Sequence, residues 1–248
     1  MYIYIYMNYL LINPDRQERN IAHFFHEQLF HAIDIFLQDN NTKWILKGGQ
    51  GWENSFTQLM AKYIGIEIIK DDSSIHDKIS LNGEKNLRKS ANYHKILELV
   101  QEAIHKEYPE IEYNGNYKVL YFRNDARRRK MAGYQNQLDK YFDKIIYNMN
   151  ISFEEQVKLF MNCSHFVTIE GAHLTNVVFM NKKAKVLDIS PMNNSWQEMF
   201  GTSICVDTFI NYYFNLRPST RKAEDKIFNS NIQFNLEIEN KIIEFLKT

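Results

Sequence analysis

The residues that decide the fold are YKVLYFRNDARRRK, positions 117–130, and FVTIEGAHLTNVVFM, positions 166–180. The first runs an apolar strand, Tyr117–Phe122, straight into Arg123, Arg127, Arg128 and Arg129. The second ends a buried strand on the small-residue turn Glu170-Gly171-Ala172 and then opens a helix. Backbone N–H groups and a helix N-terminus at such a turn suit an anion. In an open α/β sheet both points lie at carboxyl ends of strands, the edge where ligands bind. A phosphate-bearing ligand is therefore the first expectation. The competing reading of Arg127–Lys130 is a solvated helix start.

Outward from this stretch, strand and helix alternate. Tyr2–Ile12 alternates as a strand and closes on Asn13-Pro14-Asp15. Asn20–Gln38 carries apolar residues at helical spacing, with His23, His26, Glu27, His31 and Asp34 on the opposite side. Strands are expected at Lys43–Lys47 and Ile66–Ile69, helices at Asn54–Ile64 and Lys85–Tyr108, and a polar loop from Ile69 through Glu84. Glu110–Asn116 is a polar, Gly-containing boundary. Beyond it strands are expected at Tyr117–Phe122, Lys144–Tyr147, Phe166–Ile169 and Lys185–Ile189, with Ser203–Val206 a fifth candidate. Helices are expected at Tyr134–Phe142, Phe153–Cys163, Leu174–Met180 and Ser195–Phe200, and a closing amphipathic helix at Phe234–Lys247. Ser152-Phe153-Glu154-Glu155 fits a capping box. The alternation implies parallel sheets with right-handed crossovers. The expected division is 1–115, 116–215 and a tail with its helix at 216–248.

Bulk composition narrows the function. Hydrophobic content of 44% is ample for a packed core and excludes a disordered chain. Formal net charge is zero, so a general nucleic-acid binder, which carries a basic excess, is not expected. Two cysteines, Cys163 and Cys205, form no disulfide framework and read as small core residues of a reducing, cytoplasmic setting. Met1–Ile12 lacks a basic start and a small-residue cleavage site, and no run reaches transmembrane length.

The run Val119–Arg128, with its arginines at a strand end, resembles the corresponding strand end of glycosyltransferase family 61. Ser152–Phe160 is similar to that family's capped helix, Gly171–Met180 to its phosphate-side turn, and Lys185–Ile189 to its next strand. Asn20-Ile21-Ala22-His23 resembles its amino-terminal helix start. The resemblance implies a GT-B architecture of two facing Rossmann-like domains with an inter-domain cleft. It implies an inverting transferase whose nucleotide-sugar donor, usually UDP-linked, is held mainly by the carboxyl-terminal domain. Glu170 stands where the family usually has His, and His173 where it has a small residue.

Arg123 and Arg127 are the expected diphosphate ligands, because guanidinium forks match phosphate oxygens. Arg128 and Arg129 are read as solvated or structural. Gly171 and Ala172 permit close backbone approach, and Thr175 adds a hydroxyl. Asn176 is either a ligand or a turn residue, and Asp188 either a ribose acceptor or a solvated strand end. His23 with Glu27, one turn apart, is the favoured acid–base pair, with Glu170 an alternative. His26-Glu27 followed by His31 misses the zinc-protease spacing by one residue, which puts the histidines about 140° apart. Gly48-Gly49-Gln50-Gly51 lacks the Gly-Lys of a phosphate loop and reads as an acceptor-side loop with Trp52, or a turn. Neither metal nor cofactor is expected; the partners are a UDP-sugar donor and a glycan or glycoprotein acceptor. The rivals are a non-catalytic nucleotide- or glycan-binding protein and a metal-dependent hydrolase built on His23–His31.

Overall fold

The computed structural model describes residues 8–13, 24–47, 52–69, 75, 78–81, 92–111, 115–123, 129–191, 205–213 and 230–248. The chain divides into two compact units, Met1–Pro109 and Glu110–Thr248. Each is built on its own parallel sheet, as strand–helix alternation requires.

In the first unit the strands are β1 (Asn8–Ile12), β2 (Thr42–Leu46), β3 (Ile68–Ile69) and β4 (Lys78–Ser80). They lie in the order β3-β2-β1-β4, all parallel. The strand order reverses between β1 and β4. The expected polar loop thus holds a strand, whose three residues are too few for a period to register. A π-helical segment, Phe24–Leu29, leads into α1 (Phe30–Gln38). Phe25, Phe30 and Phe56 of α2 (Trp52–Ile64) are fully buried, with Phe25 stacked on Phe56 at 4.5 Å. Phe30 also meets Tyr93 of α3 (Tyr93–Glu107). His26, His31 and Asp34 are buried as well, so this helix is covered on its polar side too. Asn92 and Gln38 supply Asp34 with amide hydrogen bonds of 3.0 Å each. Gln28 grips the chain just past β1, accepting from Asn13 N–H and donating to Asn13 O.

In the second unit the strands are β5 (Tyr117–Tyr121), β6 (Met131–Ala132), β7 (Lys144–Ile146), β8 (Cys163–Ile169), β9 (Lys185–Ser190), β10 (Thr208–Tyr213) and β11 (Ile232–Gln233). Five form a parallel sheet in the order β10-β9-β8-β5-β7, while β6 and β11 pair separately. In chain order this is the 2-1-3-4-5 arrangement, whose reversal falls between β5 and β8. Leu120, Phe122, Val167, Ile169, Leu187 and Ile189 share one face, packed with Ile238, Ile242 and Phe245 of α5 (Leu236–Phe245). Burying each such aliphatic side chain contributes about 1.5–3 kcal/mol. This settles where the closing helix docks. The other face is covered too: α4 (Phe153–Met161) sets Phe160 edge-on to Phe166 at 5.0 Å. With both faces covered, β8 and β9 are buried along most of their length, polar Thr168 and Asp188 included.

The capping box is present, with Ser152 Oγ accepting from Glu155 N–H and Glu155 Oε2 accepting from Ser152 N–H. The helix expected at Tyr134–Phe142 is only a 3-10 turn, Asp139–Tyr141. Gly133 and Asn136 both have positive φ, which no helix sustains. The last strand of the sheet lies at Thr208–Tyr213, beyond the expected Ser203–Val206. The helix expected at Ser195–Phe200 lies outside the described residues. Among them, no helix is long and apolar enough to cross a membrane.

His165 sits between Lys118 and Lys185 in the register, with its ring against Phe245. Burial and the two lysine charges lower its pKa, so the fold holds the neutral ring. The unfolded chain then binds the proton more readily, and stability is full above the ordinary value of about 6.5 and falls as pH drops through it. The unfolding midpoint should fall with acidification from about pH 7 to about pH 5. In His165→Gln the fall should be shallower; an unchanged slope would show that His165 is not a contributor.

Candidate functional site

At the reversal point of the second sheet, β5 ends at Tyr121 and β8 at Ile169. The next residues along each strand bring Arg123 and Glu170-Gly171 together. Arg123 has φ 53°, a left-handed backbone that an ordinary side chain adopts at a cost of about 1–2 kcal/mol. It folds its guanidinium over Gly171, where Nη1 donates to Glu170 O at 2.6 Å. A Cβ on Gly171 would lie 2.6 Å from Arg123 Cζ, so the close approach requires glycine. Gly171 itself is extended, with φ 169°, and its role is space rather than backbone freedom.

Arg129, also left-handed at φ 57°, approaches the side chain of the same Glu170. Its Nη1 lies 3.6 Å from Glu170 Oε1. Ser190, the last residue of β9, donates to Glu170 Oε2 at 2.8 Å. Glu170 is 2% exposed and Ser190 fully buried. A buried carboxylate survives only with such partners. The solvated reading of Arg129 does not fit, since its side chain is only 19% exposed.

The turn continues as a 3-10 helix, Ala172–Phe179, where an α-helix was expected. Its first N–H groups, with those of Gly171 and Ala172 nearest the arginines, lack intrahelical acceptors by geometry. His173 is buried edge-on to Tyr121 at 4.7 Å, and its Nε2 lies 2.7 Å from Thr168 Oγ1. The Thr168 hydroxyl donates to main-chain oxygens, with Tyr121 O at 2.9 Å. Thr168 Oγ1 and His173 Nε2 thus share one hydrogen bond, and Ile169 is a backbone hydrogen-bond partner of the ring. Burial first, then the Arg123 and Arg129 charges, hold the His173 pKa well below the ordinary value. The ring is neutral, and both guanidinium fields reach it.

The other expected residues fall in varied places. Thr175 and Asn176 are buried within the 3-10 helix, and Asn176 Nδ2 donates to His173 O at 3.0 Å. Asp188 is fully buried in β9, in register with Thr168, so it is no solvated strand end. Arg127, Arg128, His23 and the Gly48–Gly51 loop lie outside the described residues, as does the side chain of Glu27. Thr168, Ser190 and Arg129 were not singled out as site residues. Only the arginine run hinted at the last, and nothing in it tells which arginine turns inward.

The Arg123–Gly171 contact yields a thermodynamic expectation. Gly171→Ala pushes the guanidinium off Glu170 O and should cost at most roughly 1.5–3 kcal/mol, the worth of a charged hydrogen bond. Because the backbone accepts alanine, the cost should vanish in an Arg123→Ala background. Denaturant unfolding of the double-mutant cycle measures this, and equal costs in both backgrounds would locate the strain elsewhere.

No curated protein matches the chain. The family model Glycosyltransferase 61 matches residues 21–187, more than half of the 248. The matched span includes the arginine-bearing end of β5, capped helix α4, the Gly171 turn and the start of β9. Arg123, Arg129, Glu170 and Gly171, which build this turn, thus stand inside the match, and the chain belongs to glycosyltransferase family 61.

Proposed function

We propose that the chain is an inverting glycosyltransferase that moves a sugar from a UDP-sugar to a hydroxyl of a glycan or protein acceptor. The observation that carries this reading is the convergence of Arg123 and the Gly171 turn at the strand-order reversal between β5 and β8. A diphosphate leaving group develops negative charge, and preorganised cations and N–H groups stabilise it without reorganising. Arg123 and Arg127 take the diphosphate oxygens, assisted by the N–H groups of Gly171 and Ala172 and the hydroxyl of Thr175. Asn176 braces the turn, and Asp188 is the acceptor for ribose hydroxyls in this reading. The fixed guanidinium charge makes added divalent metal unnecessary here.

In this reading the two units are the halves of a GT-B enzyme, and the first supplies the acceptor side. The acceptor oxygen bonds to the anomeric carbon as that carbon's bond to the diphosphate oxygen breaks. The acceptor proton passes to a base on the opposite face. His23, with an ordinary pKa near 6.5, takes that role with Glu27 as its partner. Glu170 stands second as base, because both its carboxylate oxygens face partners. That engagement also favours the rival reading, a nucleotide- or glycan-binding protein without turnover.

Calorimetry with UDP tests the donor site. Arg123→Ala should weaken UDP binding about tenfold to a hundredfold, equally with and without EDTA. Undiminished binding would remove Arg123 from the site, and binding abolished by EDTA would bring in a metal. Transfer, followed by nucleotide release, tests the base: His23→Ala should keep UDP affinity and lose transfer by about 10²–10⁴. Near-normal transfer would shift the role to Glu27 or Glu170; UDP binding by the wild type with no transfer to any acceptor would favour the binding-protein reading.

A further inference from the structure

Glu170 is a buried carboxylate placed between the two inward arginines of a site that must accept an anion. Ser190 Oγ fixes one oxygen at 2.8 Å, which aims the other at Arg129 Nη1, 3.6 Å away. Arg123 donates to the main-chain oxygen of the same residue at 2.6 Å. Arg123 and Arg129 thus both stand at this one turn. We propose that Arg129 is a further anion-binding side chain and that Glu170, aimed by Ser190, is its built-in counter-ion, with which an arriving diphosphate must compete. This rests on the donor-site reading above.

Two effects of Glu170 oppose each other. Holding the arginine side chain in place helps a ligand by a factor of a few, up to about tenfold. Competition between the carboxylate and a phosphate oxygen for the Arg129 guanidinium, in a medium of intermediate dielectric, amounts to a factor of tens to hundreds. Competition is the larger, so the carboxylate weakens anion binding on balance. Glu170 therefore sets how much of the arginine charge a ligand meets.

The test is calorimetry with inorganic pyrophosphate and, separately, UDP, on wild type, Glu170→Gln, Arg129→Ala and the double variant. Glutamine keeps the shape and still accepts from Ser190. Glu170→Gln should tighten pyrophosphate binding on the order of tenfold or more. The gain should shrink to less than about threefold when Arg129 is alanine, since coupled sites are non-additive. Unchanged or weaker pyrophosphate binding in Glu170→Gln, an equal gain without Arg129, or no pyrophosphate binding by either protein overturns the proposal. If Glu170→Gln does not fold, Arg129→Gln carries the test. Its pyrophosphate affinity should drop about tenfold or more, and an unchanged value overturns the assignment. A wild type that binds pyrophosphate but not UDP would sink the donor reading and leave the counter-ion standing.

Discussion

The hydrogen bond from the Arg123 guanidinium to the Glu170 carbonyl, made across the bare Cα of Gly171, is the contact on which the site depends. It joins the ends of β5 and β8, the two strands between which the sheet order reverses. Crossovers on either side of such a reversal leave in opposite directions, and the crevice between them is where open α/β sheets bind ligands. One arginine in a left-handed conformation and one residue without a side chain place a fixed positive charge at that crevice. The sheet supplies the position, and the local backbone supplies the aim.

The charge has consequences for every titratable neighbour. A carboxylate at Glu170 is tolerable in a buried place because Ser190 and Arg129 meet it. An imidazole at His173 stays neutral because burial and both arginines oppose its protonation. Its Nε2 pairs with Thr168 Oγ1, whose hydroxyl also reaches the backbone of the adjacent strand. Two of the departures from the family resemblance, Glu170 and His173, are thus accommodated by neighbours within hydrogen-bonding or Coulombic reach. Neither stands as an isolated substitution.

What could be read from the sequence was what is local or periodic. The parallel α/β class follows from alternating strands and helices, and the Ser152 capping box from four consecutive residues. The glycine at position 171 reads directly as a place of close approach. What could not be read is where tertiary geometry overrides the local signal. The Tyr134–Phe142 pattern looks helical, yet positive φ at Asn136 and the Tyr134–Asp139 hydrogen bond hold it as a loop with one 3-10 turn. The inward turn of Arg129 depends on a left-handed φ that no arginine run announces. Ser190 matters only because β9 lies beside β8, a pairing that spacing alone does not give. The burial of His26, His31 and Asp34 likewise depends on α3 and on the π-helical start of their own helix.

The central claim is that an anion is held where β5 and β8 end in the second unit. Backbone amide resonances followed by NMR during a titration with UDP address it at single-residue resolution. The account predicts the largest changes at Arg123, Gly171, Ala172 and His173, with the Arg123 guanidinium Nε–H moving in step. Changes confined to Met1–Pro109, with the Gly171 turn unmoved at saturation, would contradict it.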